Sequence, residues 1–131
     1  MTMNPFTTHG AFSWFELLTG DVEGAKKFYG DVFGWEFKKA DNVDFDYQVV
    51  SLEGQEMAGI MDIKHIGDEK IPPHWSNYIT VSDINATLQK AKELGANVIV
   101  EITPIPKVGD FAVLKDPQGS IISVIEYKMS C

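Results

Sequence analysis

Glu16 stands in an otherwise apolar and aromatic run, Phe12-Ser13-Trp14-Phe15-Glu16-Leu17-Leu18. Desolvation would raise the pKa of such a carboxylate and suit it to proton transfer or to pairing with a cation; a structural hydrogen bond or salt bridge to a neighbouring strand is the competing reading. Tyr78 can donate a hydrogen bond to a ligand oxygen or simply cap the core. His74, after Pro72-Pro73, offers an imidazole base or a partly exposed histidine at the mouth of a strand. Ser76 and Ser123 are small polar groups able to contact a ligand, and no base stands beside either to make a nucleophile. Trp14, Trp75, Phe111 and Met61 supply aromatic and polarizable surface for a flat or apolar ligand, or ordinary core. His9 and His65 fall in a tail and a connector and read as surface residues.

The elements that would position these groups follow from periodicity and breakers. Phe12–Leu18 reads as a strand, broken by Thr19-Gly20-Asp21. Asp21 can cap a helix in which Val22, Ala25, Phe28, Tyr29, Val32 and Phe33 form one buried stripe, stopped by Gly34. Strands are expected near Trp35–Lys39, Phe45–Leu52 and Met57–Ile63. Lys64–Pro73 is polar, carries two prolines and reads as a connector. The pattern then restarts with a strand at His74–Val81. Ser82-Asp83 caps a helix with stripe Ile84, Leu88, Ala91 and Leu94, and strands follow near Asn97–Glu101, Asp110–Lys115 and Ser120–Tyr127. Asp116-Pro117-Gln118-Gly119 makes the last turn.

The two halves superimpose. Asp21 falls on Asp83 at an offset of 62, which sets Trp14 over Ser76 and Glu16 over Tyr78; the run Tyr47–Ile63 falls on Phe111–Tyr127 at an offset of 64, which sets Gly59 over Ser123 and Met61 over Ile125. The fold class expected is α+β, with two βαβββ modules in one chain forming a curved mixed sheet around a cleft. The whole chain, 1–131, is read as a single domain: module one about 10–63, connector 64–73, module two 74–128. Strand alternation sends Phe12, Trp14 and Glu16, and likewise Ser76, Tyr78 and Thr80, to the cleft side, with Phe15, Leu17 and Ile79 on the helix side.

Composition narrows the function. With 131 residues, 44% hydrophobic and 23% charged, the chain is an ordinary globular domain and not a disordered segment. A net charge of −8 repels phosphate backbones and anionic membranes, which speaks against nucleic acid or membrane partners. No stretch has the length of an apolar membrane span, and the first residues lack a basic-then-apolar segment, so a cytoplasmic protein is expected. The single cysteine, Cys131, rules out an intrachain disulfide or thiolate cluster.

In the order Leu18-Thr19-Gly20-Asp21, Ala25-Lys26-Lys27-Phe28-Tyr29, Val32-Phe33-Gly34-Trp35, Leu94-Gly95-Ala96 and Asp116-Pro117-Gln118-Gly119, the sequence resembles the vicinal oxygen chelate superfamily, also called the glyoxalase/bleomycin resistance/dioxygenase superfamily. The resemblance runs from Phe12 to Tyr127 and implies two βαβββ modules around a cleft. More narrowly, Trp14-Phe15-Glu16-Leu17, Gly59-Ile60-Met61 and Pro72-Pro73-His74-Trp75 resemble glyoxalase-like members of that family. Family enzymes hold a divalent metal with His and Glu side chains, at positions that the resemblance places on Trp14, near Gly59, on Ser76 and on Ser123. None of these is an imidazole or carboxylate, so no metal cofactor is expected. The candidate catalytic residues are therefore Glu16, Tyr78 and His74, and the candidate ligand contacts are Trp14, Gly59, Met61, Trp75, Ser76, Phe111 and Ser123.

The reading is a metal-independent small-molecule-binding protein, expected to pair as a homodimer. Its alternatives are a metal-dependent lyase, isomerase or dioxygenase of glyoxalase type, and a resistance protein sequestering a toxic compound. Protein as purified should hold less than about one tenth of an equivalent of Zn, Ni, Fe or Mn, and a chelator should leave its melting temperature unchanged. A stoichiometric ion held by these side chains would show that the ligand positions are wrongly assigned.

Overall fold

The computed structural model describes residues 2–66 and 72–128, so Cys131 and part of the connector lie outside the described residues. Module one comprises β1 (Phe12–Thr19), α1 (Val22–Phe33), β2 (Glu36–Lys39), β3 (Gln48–Leu52) and β4 (Gln55–Asp62). A 3-10 turn at Ile63–Ile66 opens the connector. Module two comprises β5 (His74–Thr80), α2 (Ile84–Glu93), β6 (Asn97–Ile105), β7 (Gly109–Lys115) and β8 (Ile121–Tyr127). The βαβββ order occurs twice, as expected. By contacts the chain divides into two compact units, Trp14–Ser76 and the remainder, so the division falls inside β1 and β5.

Each module builds a mixed sheet. In module one β1 runs parallel to β4, and β4–β3 and β3–β2 are antiparallel. In module two β5 runs parallel to β8, and β8–β7 and β7–β6 are antiparallel. The parallel pairs follow from the chain path, since the helix and two further strands intervene before the last strand returns beside the first. β6 extends to Ile105 instead of ending at Glu101, because an edge strand tolerates Pro104 without losing an inner ladder bond. β3 begins at Gln48, not Phe45; Ala40 N–H donates to the Tyr47 carbonyl at 2.8 Å and closes the preceding bend.

Both helices start where the aspartates stand. The Asp21 carboxylate accepts from Gly24 N–H at 2.9 Å and that of Asp83 from Ala86 N–H at 3.1 Å, each satisfying a donor that the helix itself cannot. Gly34, at φ 76°, closes α1 in the left-handed conformation that glycine adopts without penalty. Ile84 N–H, in the first turn of α2, donates to Glu126 at 2.9 Å, tying that helix to β8.

The N-terminal stretch is not the tail that its composition suggests. Gly10 N–H donates to the Thr80 carbonyl and Thr80 N–H to the Ala11 carbonyl, both at 2.8 Å, while the Thr80 hydroxyl reaches the Pro5 carbonyl at 2.6 Å. His9 Nδ1 accepts from Ser82 N–H at 3.0 Å, just ahead of α2, and Phe6 meets the Tyr127 ring edge-on at 5.4 Å.

Leu17, Val50, Ala58 and Ile60 form the core of module one, against Val22, Ala25 and Tyr29 of α1; Val81, Ile84, Leu88, Ala112, Leu114 and Val124 form that of module two. The expected α1 stripe is too wide. Phe28, Val32 and Phe33 are more than half exposed, because the sheet beneath meets only the Val22-Ala25-Tyr29 line of an arc that apolar residues overfill. Leu94, expected in the α2 stripe, is the exposed C-cap past the last turn, and Phe15, expected on the helix side, is exposed. Among the described residues no helix is long and apolar enough to cross a membrane.

Burial pushes the Tyr127 phenol above its ordinary value of 10.0, and the Ser13 hydroxyl, 2.7 Å away, partly offsets this. A raised acid ionises first in the unfolded chain, so its stabilisation is complete below pH 10 and is lost as pH rises through the folded value. Urea midpoints should therefore fall from pH 10 upward, and Tyr127→Phe should flatten that fall. Identical alkaline slopes for parent and variant would refute it.

Candidate functional site

Alternation along β1 turns Leu17 into the module-one core and Trp14 and Glu16 to the opposite face of the sheet. On β4, Ala58 and Ile60 are the core-facing residues, which leaves Gly59 and Met61 opposite, and Gly59 lies beside Glu16 in the parallel pair. Glu16 is only 6% exposed, so its charge requires compensation. Tyr47, just ahead of β3, supplies part of it: the phenol donates to Glu16 Oε2 at 2.8 Å and accepts from Trp14 Nε1 at 2.9 Å. A hydrogen bond to an ionised carboxylate is among the stronger kinds and stabilises the anion. Gly59 makes the arrangement possible, because a Cβ at that position would collide with the ring and hydroxyl of Tyr47.

Tyr47 is the residue that sequence reasoning missed. The signal was present in the repeat, where Tyr47 is the counterpart of Phe111. Module two places the corresponding side chains alike. Tyr78 is the register partner of Ser123, both are buried, and the Phe111 ring stands 6.2 Å from that of Tyr78. Ser76 and Thr80 are buried on the same side of β5, while Ile79 packs in the module-two core.

The site residues inferred from sequence thus separate into groups. Trp14, Glu16 and Gly59 come together around Tyr47, with Met61 buried two residues farther along β4. Tyr78, Phe111 and Ser123 come together in module two. His74 is half-buried and turned back on its own backbone, its Nδ1 at 2.8 Å from the Pro72 carbonyl. Trp75 is not brought to Glu16: it packs edge-on against Tyr29 and Trp35, at 5.5 and 5.9 Å, and donates to the Tyr29 hydroxyl at 3.2 Å. His65 is exposed, lies against Phe45 at 4.6 Å, and lines an open hollow of about 410 Å³ with Asp21, Glu23, Asp46, Asp62 and Lys64.

Among the described residues no group of three His, Cys, Asp or Glu side chains is placed to hold an ion. At the positions where the resemblance puts metal ligands stand an indole already donating to Tyr47, a glycine whose side-chain space Tyr47 fills, and two serines.

The family model described as Glyoxalase/Bleomycin resistance protein/Dioxygenase superfamily matches residues 11–124. CFP32 of Mycobacterium bovis, a protein named as a glyoxylase, is 39% identical over 118 residues, which are 89% of this chain and 44% of the relative. The anthracycline biosynthesis protein DauV of Streptomyces sp. (strain C5) is 31% identical over 119 residues, 91% of this chain and 42% of the relative. The chain therefore spans less than half the length of these relatives. Among solved structures, the hypothetical protein BH1468 from Bacillus halodurans C-125 superimposes with a TM-score of 0.67 at 14% identity, covering 95% of this chain and 99% of that one. Methylmalonyl-CoA epimerase from Mycobacterium tuberculosis does so with a TM-score of 0.59 at 17% identity, covering 98% and 93%. At such identities the likeness is one of fold alone.

Glu16→Gln keeps the shape and leaves an amide oxygen to accept from Tyr47. It should fold with a stability within about 1 kcal/mol of the parent, since one acceptor replaces another. A loss of several kcal/mol in a urea melt would instead assign Glu16 to the scaffold.

Proposed function

The chain belongs to the Glyoxalase/Bleomycin resistance protein/Dioxygenase superfamily, and from that premise we propose that it binds a small molecule without a metal, on the face of module one where Trp14, Glu16 and Tyr47 meet. One observation carries the reading: a carboxylate buried in an apolar face and held in place by a neutral phenol. A carboxylate that already accepts a hydrogen bond in this face suits holding a cationic or hydrogen-bond-donating group. The indole and phenol rings beside it favour a flat partner. The net charge of −8 draws cations from solution and disfavours anionic ligands.

This makes the ligand a flat organic cation, bound without turnover in the manner of a sequestering protein. The name of the Streptomyces relative, an anthracycline biosynthesis protein, agrees with a flat polycyclic ligand. The alternative of a metal-dependent lyase, isomerase or dioxygenase lacks support in the donor set. The working unit in this proposal is a homodimer, since β2 and β6 are left as the outer strands of their modules.

Calorimetric titration with an anthracycline bearing a protonated amino sugar, and separately with methylmalonyl-CoA, tests the reading. The flat cation should saturate one site per chain without added metal, the anionic thioester should not bind, and Glu16→Gln should weaken the cation by about tenfold. Preference for the thioester, binding that requires a divalent ion, or an unchanged affinity in the variant would each overturn it.

A further inference from the structure

Two trios of side chains occupy equivalent places in the two modules, Glu16, Tyr47 and Gly59 in one and Tyr78, Phe111 and Ser123 in the other. They differ at all three positions, and two of the differences are linked. Module two has a serine at position 123 and a ring without a hydroxyl at position 111. Module one has no side chain at position 59, and Tyr47 leans into the volume where one would stand. That lean brings a single hydroxyl within 2.9 Å of Trp14 Nε1 and 2.8 Å of Glu16 Oε2. An indole N–H only donates and a phenol has one proton to give, so the direction of the relay is settled: Trp14 donates to Tyr47, and Tyr47 donates to Glu16.

We infer that Tyr47 is the positioning residue of this site, that Gly59 is there to admit it, and that together they set the Glu16 carboxylate as the acceptor for a cationic or donor-bearing ligand. The inference rests on the reading of Glu16 given above for its ligand, but not for its geometry. The Tyr47 hydroxyl holds one oxygen of the carboxylate, and the Trp14 indole holds the hydroxyl. The ring packs edge-on against Phe45, a contact that a phenylalanine at position 47 would keep.

Two variants separate these roles. Tyr47→Phe keeps the ring and removes the hydroxyl; Gly59→Ala keeps the hydroxyl and drives the ring from its place. Crystal structures of the free variants should both show the Glu16 carboxylate displaced, and the Trp14 indole N–H resonance should move in both. A carboxylate that stays in place in either variant would overturn the inference, with no ligand involved and with the binding reading left standing. Should one variant not fold, the other decides.

The second arm is a double-mutant cycle in which affinity for the anthracycline probe is measured. Tyr47→Phe should weaken binding by about tenfold in the parent and cause no further loss in the Glu16→Gln background. An equal loss in both backgrounds would make the Tyr47 hydroxyl itself, and not only the ring, a direct ligand contact and overturn its positioning role. If the parent itself does not bind the probe, the binding reading falls and the free-protein structures alone judge Tyr47.

Discussion

Burying a carboxylate in an apolar sheet face is the constraint on which module one depends. Glu16 needs hydrogen-bond donors within reach, and one of them comes from a segment distant in sequence, just ahead of β3. Tyr47 meets this need across 31 residues of chain, and it can do so only because β4 presents a glycine beneath its ring. The parallel pairing of β1 with β4, the absent side chain at position 59 and the bend that precedes β3 are therefore parts of one solution. Trp14 completes it, since its indole N–H would otherwise have to be satisfied elsewhere.

The repeat sets this device on a frame that both modules share. Both modules cap their helix with an aspartate, pair their first and last strands in the same register, and direct the residue before Leu17 or Ile79 away from the core. What differs is what those directed positions carry. Module two carries hydroxyls and a phenylalanine where module one carries a carboxylate, a tyrosine and a glycine. The frame is a matter of backbone geometry and hydrophobic burial, which tolerates such exchanges; the chemistry is confined to the face that the helix does not cover.

The helix-covered side of module one has its own consequence. α1 carries more apolar surface than its sheet can bury, and Tyr29, Trp35 and Trp75 collect the excess into a cluster of rings that leaves Phe28 and Phe33 largely in solvent. Trp75 is drawn into this cluster because alternation on β5 places it opposite to Ser76 and Tyr78. An aromatic residue near a candidate site in sequence can thus serve the other face of the same strand.

The sequence by itself determined the order of elements, both helix caps, the repeat and the face on which Glu16 stands. Each of these depends on local periodicity or on a capping side chain two or three residues from its partner, and such information is contained in short windows. It did not reveal Tyr47 as the partner of Glu16, the anchoring of residues 5–11 on Thr80, or which part of the α1 stripe is covered. Those outcomes required tertiary structure, because a hydrogen bond between residues 31 or 75 positions apart and the width of a helix's contact depend on where strands converge in space. The glycine at position 59 shows the limit most plainly: in sequence it is an absent side chain, and only the folded sheet shows which other side chain fills the space.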